Sequence, residues 1–248
     1  MLRTDDASTL PLLFHLNSEP WLNLDAYGDP SHEMRFKSVA PDAERVRLAT
    51  PDETPLRRLI RARRSCRTFA DQPIPLASLA GILADTYGVT GLTDGPEGRP
   101  MYTRPVPSAG ALYPLEIYVA TQSVEGIGDG LHHYHALDHA LEPVKAGPVM
   151  KQLGGLLLGQ YYLATANVAV ILTAVFERTL KKYGPRGYRY VLFEAGHVAQ
   201  NVCLLAAELD LGSVCTGGFY DGKLNRYLGL DGTREAAVYL VGLGRTGS

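Results

Sequence analysis

Tyr188 to Leu211 reads Tyr-Arg-Tyr-Val-Leu-Phe-Glu-Ala-Gly-His-Val-Ala-Gln-Asn-Val-Cys-Leu-Leu-Ala-Ala-Glu-Leu-Asp-Leu. Val191, Leu192, Ala195, Val198, Ala199, Val202, Leu205, Ala206 and Leu209 recur at helical spacing, and Gly212 supplies a stop. The alanines imply close helix packing, within the chain or across a dimer. Just upstream, Asn167 to Val175 is β-branched and almost wholly apolar, which suits a central strand buried on both faces. Outward from this pair, Ser213–Thr216 and Glu235–Val241 read as strands around a short helix, Gly222–Leu228. Glu116–Thr121 is a further strand, and His132–His135 with Leu141–Val144 forms a hairpin around Asp138.

Val149–Leu163 has a helical pattern, and Gly91–Arg104 reads as a turn-rich loop. Pro75 opens a helix with Leu76, Leu79, Ile82 and Leu83 on one face, closed by Gly88. Thr54-Pro55 is an N-cap and first turn, with Leu56, Leu59 and Ile60 as the buried stripe. Residues 1–50 carry Pro11, Pro20, Pro30 and Pro41 and read as an extended arm with one short helix and no core of its own. Helices and strands mix without an even βαβ rhythm, which favours an α+β fold or an irregular α/β/α sandwich.

The 248 residues make one large domain or two small ones, with ample core and no need of a disulfide or metal staple. Lys and Arg number 24 against 26 Asp and Glu, a net charge of −2. Six arginines and no acid fall between Arg57 and Arg67; setting those six aside leaves 18 basic against 26 acidic residues, a body of −8. A basic focus in an acidic body points to a specific anionic partner and away from nucleic acid. Cys66, Cys203 and Cys215 are too few and scattered for a disulfide framework or a thiolate zinc site, and read as reduced, cytoplasmic thiols. The N-terminus lacks the pattern of a signal peptide, and the most apolar run, the 14 residues Leu163–Phe176, is too short to span a membrane. His132, His133, His135 and His139 crowd together with no acid or thiol interleaved, so solvent-facing imidazoles are expected and no metal.

There is no GxGxxG after a strand, no GxxxxGK[ST] and no GxSxG, which argues against Rossmann, P-loop and hydrolase-elbow chemistry. In Arg63-Arg64-Ser65-Cys66-Arg67, arginine forks match phosphate oxygens and a serine adds a donor, although a solvated helix end would look the same. Arg104-Pro-Val-Pro-Ser-Ala-Gly-Ala-Leu-Tyr-Pro114 can bring backbone amides against a flat ligand, because Ala109, Gly110 and Ala111 have little side chain. Gly217-Gly218 permits close backbone approach to a ligand, or merely a tight turn.

In this order these pieces resemble the FMN-dependent nitroreductase superfamily, and more narrowly its SagB-type dehydrogenases, the thiazoline/oxazoline oxidases of azole-modified peptide pathways. The match is carried by residues 63–69, Pro107-Ser-Ala-Gly-Ala-Leu-Tyr-Pro-Leu-Glu116, Arg186-Gly-Tyr-Arg189, Glu194-Ala-Gly-His-Val-Ala-Gln-Asn201 and Gly212–Asp221, within about residues 54–245. Phe14-His15-Leu16-Asn17-Ser18 echoes a segment upstream in SagB-type chains. The resemblance implies residues 1–53 as an N-terminal extension and 54–248 as the FMN-dependent domain. Its fold would be a nitroreductase-like α/β/α sandwich around a mostly antiparallel sheet, in a domain-swapped homodimer with both subunits building each of two FMN sites.

By the same resemblance, Arg63, Ser65 and Arg67 hold the phosphate and ribityl end, with Arg245 as a looser match. Pro107, Ser108, Ala109 and Gly110 lie along the isoalloxazine, from the partner subunit. Cys215, Gly217 and Gly218 pass near its N5 and O4 edge. Lys182-Tyr183 matches the azoline oxidases' Lys-Tyr pair, although Lys181-Lys182-Tyr183 alone would read as an exposed charged turn. Aromatising an azoline removes a hydride from Cβ and a proton from Cα, and the proton needs a base. The expected substrate is peptide-derived and the expected oxidant of the flavin is oxygen. The rival readings are an NAD(P)H-dependent nitroreductase or quinone reductase at the same flavin, and a non-enzymatic flavin-binding subunit of a modification complex.

Overall fold

The computed structural model describes residues 9–19, 36–95 and 98–247. The chain runs α1 (Leu10–Asn17), α2 (Pro55–Ala62), β1 (Ile74–Pro75), α3 (Leu76–Tyr87), β2 (Gly91–Asp94), β3 (Pro100–Thr103) and β4 (Leu115–Thr121). It continues through β5 (Val124–Glu125), β6 (Gly130–His135), β7 (Ala140–Ala146), α4 (Val149–Gly154), β8 (Val168–Val175), α5 (Glu177–Tyr183) and α6 (Arg186–Glu208). It closes with β9 (Leu211–Thr216), α7 (Asp221–Leu228) and β10 (Glu235–Arg245).

Six strands form one sheet in the order β7-β6-β4-β8-β10-β9. Every neighbouring pair is antiparallel. Strand alternation divides β8 between two cores. Val168, Val170, Leu172 and Ala174 pack with α3 and α6, while Ala169 and Ile171 pack with α4 and α7. This is the expected α/β/α sandwich, and α6 is its longest helix, burying Val191, Ala195, Val198, Ala199, Val202 and Ala206.

Several expectations need correction. Helix α6 ends at Glu208, and Asp210, at φ +56°, turns the chain in the left-handed region. Gly212 is therefore not the stop. It lies in β9, where an added Cβ would come within 2.6 Å of Cys66 Sγ, so it admits the stretch around Cys66 against the edge strand. The helical pattern over Val149–Leu163 breaks after Gly154, whose Cβ would press on Ala164, and Gly159 takes φ +63°. Gly91–Arg104 is not a loop throughout, since β2 and β3 at its two ends pair antiparallel from Gly91↔Thr103 to Asp94↔Pro100. Its glycines and prolines mask that short hairpin.

Thr54 caps α2 as expected, accepting from the Arg57 amide at 3.3 Å. The expected buried stripe is not buried. Leu56 and Ile60 are 59% and 50% exposed, because no described element of the chain covers them. The histidine hairpin also differs. Alternation turns His132 inward onto Thr121, whereas His133 bridges Glu116 at 3.0 Å and Glu142 at 2.8 Å. Strand pairing supplies acids that are distant in sequence. Among the described residues no group of three or more His, Cys, Asp or Glu is arranged to hold a metal ion.

Of the N-terminal arm, residues 1–8 and 20–35 lie outside the described residues. The short helix exists as α1 and docks on the domain. His15 is buried against the Tyr188 hydroxyl at 3.0 Å, Phe14 meets the Tyr188 ring edge-on, and Glu19 accepts from the Gly222 amide.

Candidate active site

The sequence-selected residues fall into two groups, one along the edge strand β9 and one at the turn before β4. The first gathers on the edge strand β9. After α2, the chain runs alongside β9, with Ser65 bridged to Ser213 and the Cys66 amide donating to the Ser213 carbonyl at 2.9 Å. The next residues reach the end of β10, where the Ala70 amide bonds the Arg245 carbonyl at 2.9 Å. Arg63, Ser65, Arg67 and Arg245 thus share one end of the sheet, and Cys215, Gly217 and Gly218 follow along β9. Among the described residues neither Arg63 nor Arg67 has a carboxylate partner.

Gly217 and Gly218 have no positive φ, and a Cβ at either would meet only ordinary contacts at 3.6 to 4.0 Å. Neither backbone conformation nor crowding within the chain requires glycine there.

The second group is built around the turn before β4. Gly110, Ala111 and Tyr113 have φ of +65°, +52° and +43°, a run of left-handed residues of which two carry side chains. The surroundings hold this turn in place. Ser108 Oγ accepts from the Tyr113 amide at 2.9 Å and donates to Glu194. Glu194, 2% exposed on α6, accepts from the Tyr87 hydroxyl at 2.7 Å, and that hydroxyl accepts from the Leu115 amide at 3.1 Å. The Arg104 guanidinium lies 4.3 Å from the Tyr87 ring centroid and 5.2 Å from that of Tyr113. Burial pushes the Glu194 carboxyl up from its ordinary range, against the hydrogen bonds from Ser108 and Tyr87. Burial, with Glu194 alongside, pushes the Tyr87 hydroxyl well up too.

Lys182 and Tyr183 end α5 directly over this turn. A Cβ on Gly110 would lie 2.6 Å from Lys182 Nζ and 2.8 Å from the Tyr183 hydroxyl, so the missing side chain makes room for both groups. Lys181 points elsewhere, into an ion pair with Glu177 one turn back. Arg178, also on α5, pairs with Glu116 and donates to the Tyr113 carbonyl at 3.3 Å, tying the helix to the turn. Tyr183 packs edge-on against Tyr190 at 5.0 Å.

Pro107, Ser108, Ala109, Gly110, Lys182 and Tyr183 therefore form one cluster, apart from the arginines. Ser65 sits beside Ser213, which pairs with Leu243 and, through it, with Val168; Leu115 pairs with Ala174, six residues further along β8. Three strand spacings separate the two groups, roughly 14 Å across the sheet, and Ser65 lies ~20 Å along it from the turn before β4. Sequence reasoning assigned no role to Tyr87, Arg104, Tyr113 or Glu194. The signal for Glu194 was present, since it stands on the buried face between Val191 and Val198.

An antiparallel sheet between helices, a basic edge and a strained turn under a lysine describe a flavin-linked oxidoreductase. The chain belongs to the nitroreductase family, whose model matches residues 60–245. A Methanocaldococcus jannaschii protein named as a nitroreductase is 38% identical over 82% of this chain and 98% of its own length. The microcin B17-processing protein McbC of Escherichia coli is 34% identical over 56% of this chain, which spans 52% of that protein. The solved E. coli microcin synthetase McbBCD complex with bound truncated pro-MccB17 shares the fold, at TM-score 0.72 and 22% identity, over 98% of this chain and 94% of its own. Among the described residues no helix is long and apolar enough to cross a membrane.

Proposed function

We propose that this chain is a cytoplasmic FMN-dependent dehydrogenase that oxidises a thiazoline, an oxazoline or a similarly activated bond in a peptide-derived substrate. The observation that carries this reading is the convergence of Lys182 Nζ and the Tyr183 hydroxyl on Gly110. It sets a base and a hydroxyl over an open, preorganised turn. The relation to a microcin-processing protein supports the substrate class.

The residues present fit FMN. Arg63, Arg67 and Ser65 would hold its phosphate, with Arg245 on the neighbouring strand. The backbone from Cys215 to Gly218 would lie against its ring edge without side-chain obstruction. When bound, FMN supplies the hydride acceptor. Pro107 to Gly110 would form the other wall. They lie too far from the arginines to serve the same site within one chain, so a second copy supplies them in a homodimer. The exposed Leu56 and Ile60 of α2, with Leu192 and Phe193 of α6, are apolar surface available for that pairing. Lys182 Nζ takes the substrate Cα proton, Tyr183 orients the ring or relays that proton, and Glu194 holds Ser108 and hence the turn.

The test is Lys182→Ala in a reconstituted modification pathway. Azole formation is expected to fall by ~100-fold or more, in the range of a lost general base, with flavin content kept. Unchanged product formation ends the base assignment. The relation to a protein named as a nitroreductase supports a second reading, NAD(P)H-driven reduction of nitroaromatics or quinones. Rapid anaerobic bleaching of bound flavin by NAD(P)H favours that reading over the dehydrogenase.

A further inference from the structure

Two of the three cysteines meet at the seam between α6 and β9. Cys203 Sγ lies 3.5 Å from Cys215 Sγ, and both are free thiols. Cys203 is buried at 3% exposure, while Cys215 keeps partial access from the side where β9 leads to Gly217. Polar groups surround the pair. Ser213, Tyr239 and the Arg63 charge bear electrostatically on the two sulfurs.

We propose that Cys203 and Cys215 form a peroxide-oxidisable dithiol, a redox site separate from the Lys182 and Gly110 cluster. In the net step the two thiols lose two protons and two electrons to hydrogen peroxide. The peroxide O–O bond and both S–H bonds break, an S–S bond forms, and two waters leave. The first sulfur to react becomes a sulfenic acid, and its neighbour resolves it to the disulfide before further oxidation. The sulfurs must close from 3.5 Å to about 2.05 Å, between two elements already packed together.

The electrostatics agree with this geometry. A hydrogen bond from Cys215 is the largest influence on Cys203 and, with Ser213 and Arg63, holds its thiol down to about 7 despite burial. Cys215 is pushed up by that same bond and by burial. One thiolate is therefore available near neutrality, with a thiol beside it to resolve the product.

Tyr239 lies within electrostatic reach of Cys215, and its ring lies beside Gly217. If the proposed cofactor placement holds, oxidation at this seam reaches the turn against the flavin. The dithiol site itself does not depend on that placement.

The test uses the full chain, reduced, freed of flavin, treated with hydrogen peroxide, then denatured and alkylated with N-ethylmaleimide. Intact mass is expected to show a single maleimide adduct in place of three, with a linked peptide pair containing Cys203 and Cys215 that dithiothreitol releases. Cys66→Ser should keep the cross-link, while Cys203→Ser and Cys215→Ser should each abolish it. Three adducts after treatment, links through Cys66, or sulfinic acids without a cross-link would overturn the proposal. The unsubstituted protein decides the question even if a cysteine variant fails to fold. Because the readout is mass without flavin, its failure is distinct from failure of the dehydrogenase reading.

Discussion

Replacing Gly110 with alanine probes the turn, the lysine and the tyrosine together. Gly110 has φ +65° and ψ 22°. An alanine held there costs about 1–2 kcal/mol for its left-handed conformation. The new Cβ would lie 2.6 Å from Lys182 Nζ and 2.8 Å from the Tyr183 hydroxyl. Ordinary contact needs about 3.5 Å, so the Lys182 nitrogen retreats by ~1 Å and the hydroxyl by somewhat less. Both atoms end flexible or exposed side chains, so that movement adds little to the folding cost. It should cost much more in rate, since a misplacement of ~1 Å at a reacting group is worth about 100-fold. Gly110→Ala should therefore fold, lose about 1–2 kcal/mol in urea denaturation, and form azole about 100-fold more slowly in the reconstituted pathway. In a Lys182→Ala background the same substitution should cost less further activity, because one of the two groups it displaces is gone. Wild-type turnover with stability within about 0.5 kcal/mol would refute the reasoning. Fully multiplicative losses in the double variant would show that Gly110 acts by another route.

Arg63→Ala and Arg67→Ala should each weaken FMN binding by roughly 10- to 100-fold, the loss of a charge-assisted hydrogen bond. The double variant should purify nearly colourless, and full flavin occupancy by absorbance would remove the phosphate role. Glu194→Ala strands the Tyr87 and Ser108 hydroxyls away from their acceptor and should cost about 2–4 kcal/mol by denaturant unfolding; Glu194→Gln, which keeps an acceptor, should cost less. For the surface pair, the hydrogen bond to Glu116, with that to Glu142, raises the His133 imidazole above its ordinary 6.5. Burial pushes the Glu116 carboxyl up, but His133 and Arg178 outweigh it and hold it below 4.5. The His133 contribution is present below pH 6.5 and lost as pH rises through the higher folded value; that of Glu116 is present above 4.5 and lost below it. His133→Ala should therefore lower Tm most near about pH 5.5 and less at about pH 8, and a penalty flat with pH would contradict the pairing.

Much of the sandwich was legible because its signals are local. The periodicity of α6, the doubly apolar run of β8, the Thr54 cap and the Pro75 start depend on neighbours within a few residues. The misread elements were those where glycines interrupt a local pattern. Gly154 cut a helix that the apolar spacing continued, and the glycines and prolines around β2 and β3 hid a hairpin. The exposed stripe of α2 was misread for another reason. An apolar face shows that a helix needs a partner, not that its own chain provides one.

The site divides the same way. Residue types at the basic stretch, at the Gly-Ala-Leu-Tyr-Pro turn and at Lys182-Tyr183 were readable one by one. Sequence alone also favoured Lys182 over Lys181 only by resemblance, whereas the structure turns Lys181 into a helical ion pair and Lys182 over Gly110. The Tyr87–Glu194–Ser108 network and the Cys203–Cys215 pair join residues from different elements, and only strand register and helix packing bring them together. The amino-acid order by itself determined which chemistries this protein carries and most of the elements that bear them. Tertiary structure decided that β9 with its basic stretch and the turn before β4 stand three strand spacings apart on one sheet, because antiparallel pairing sets the distances between segments, and no local pattern encodes that.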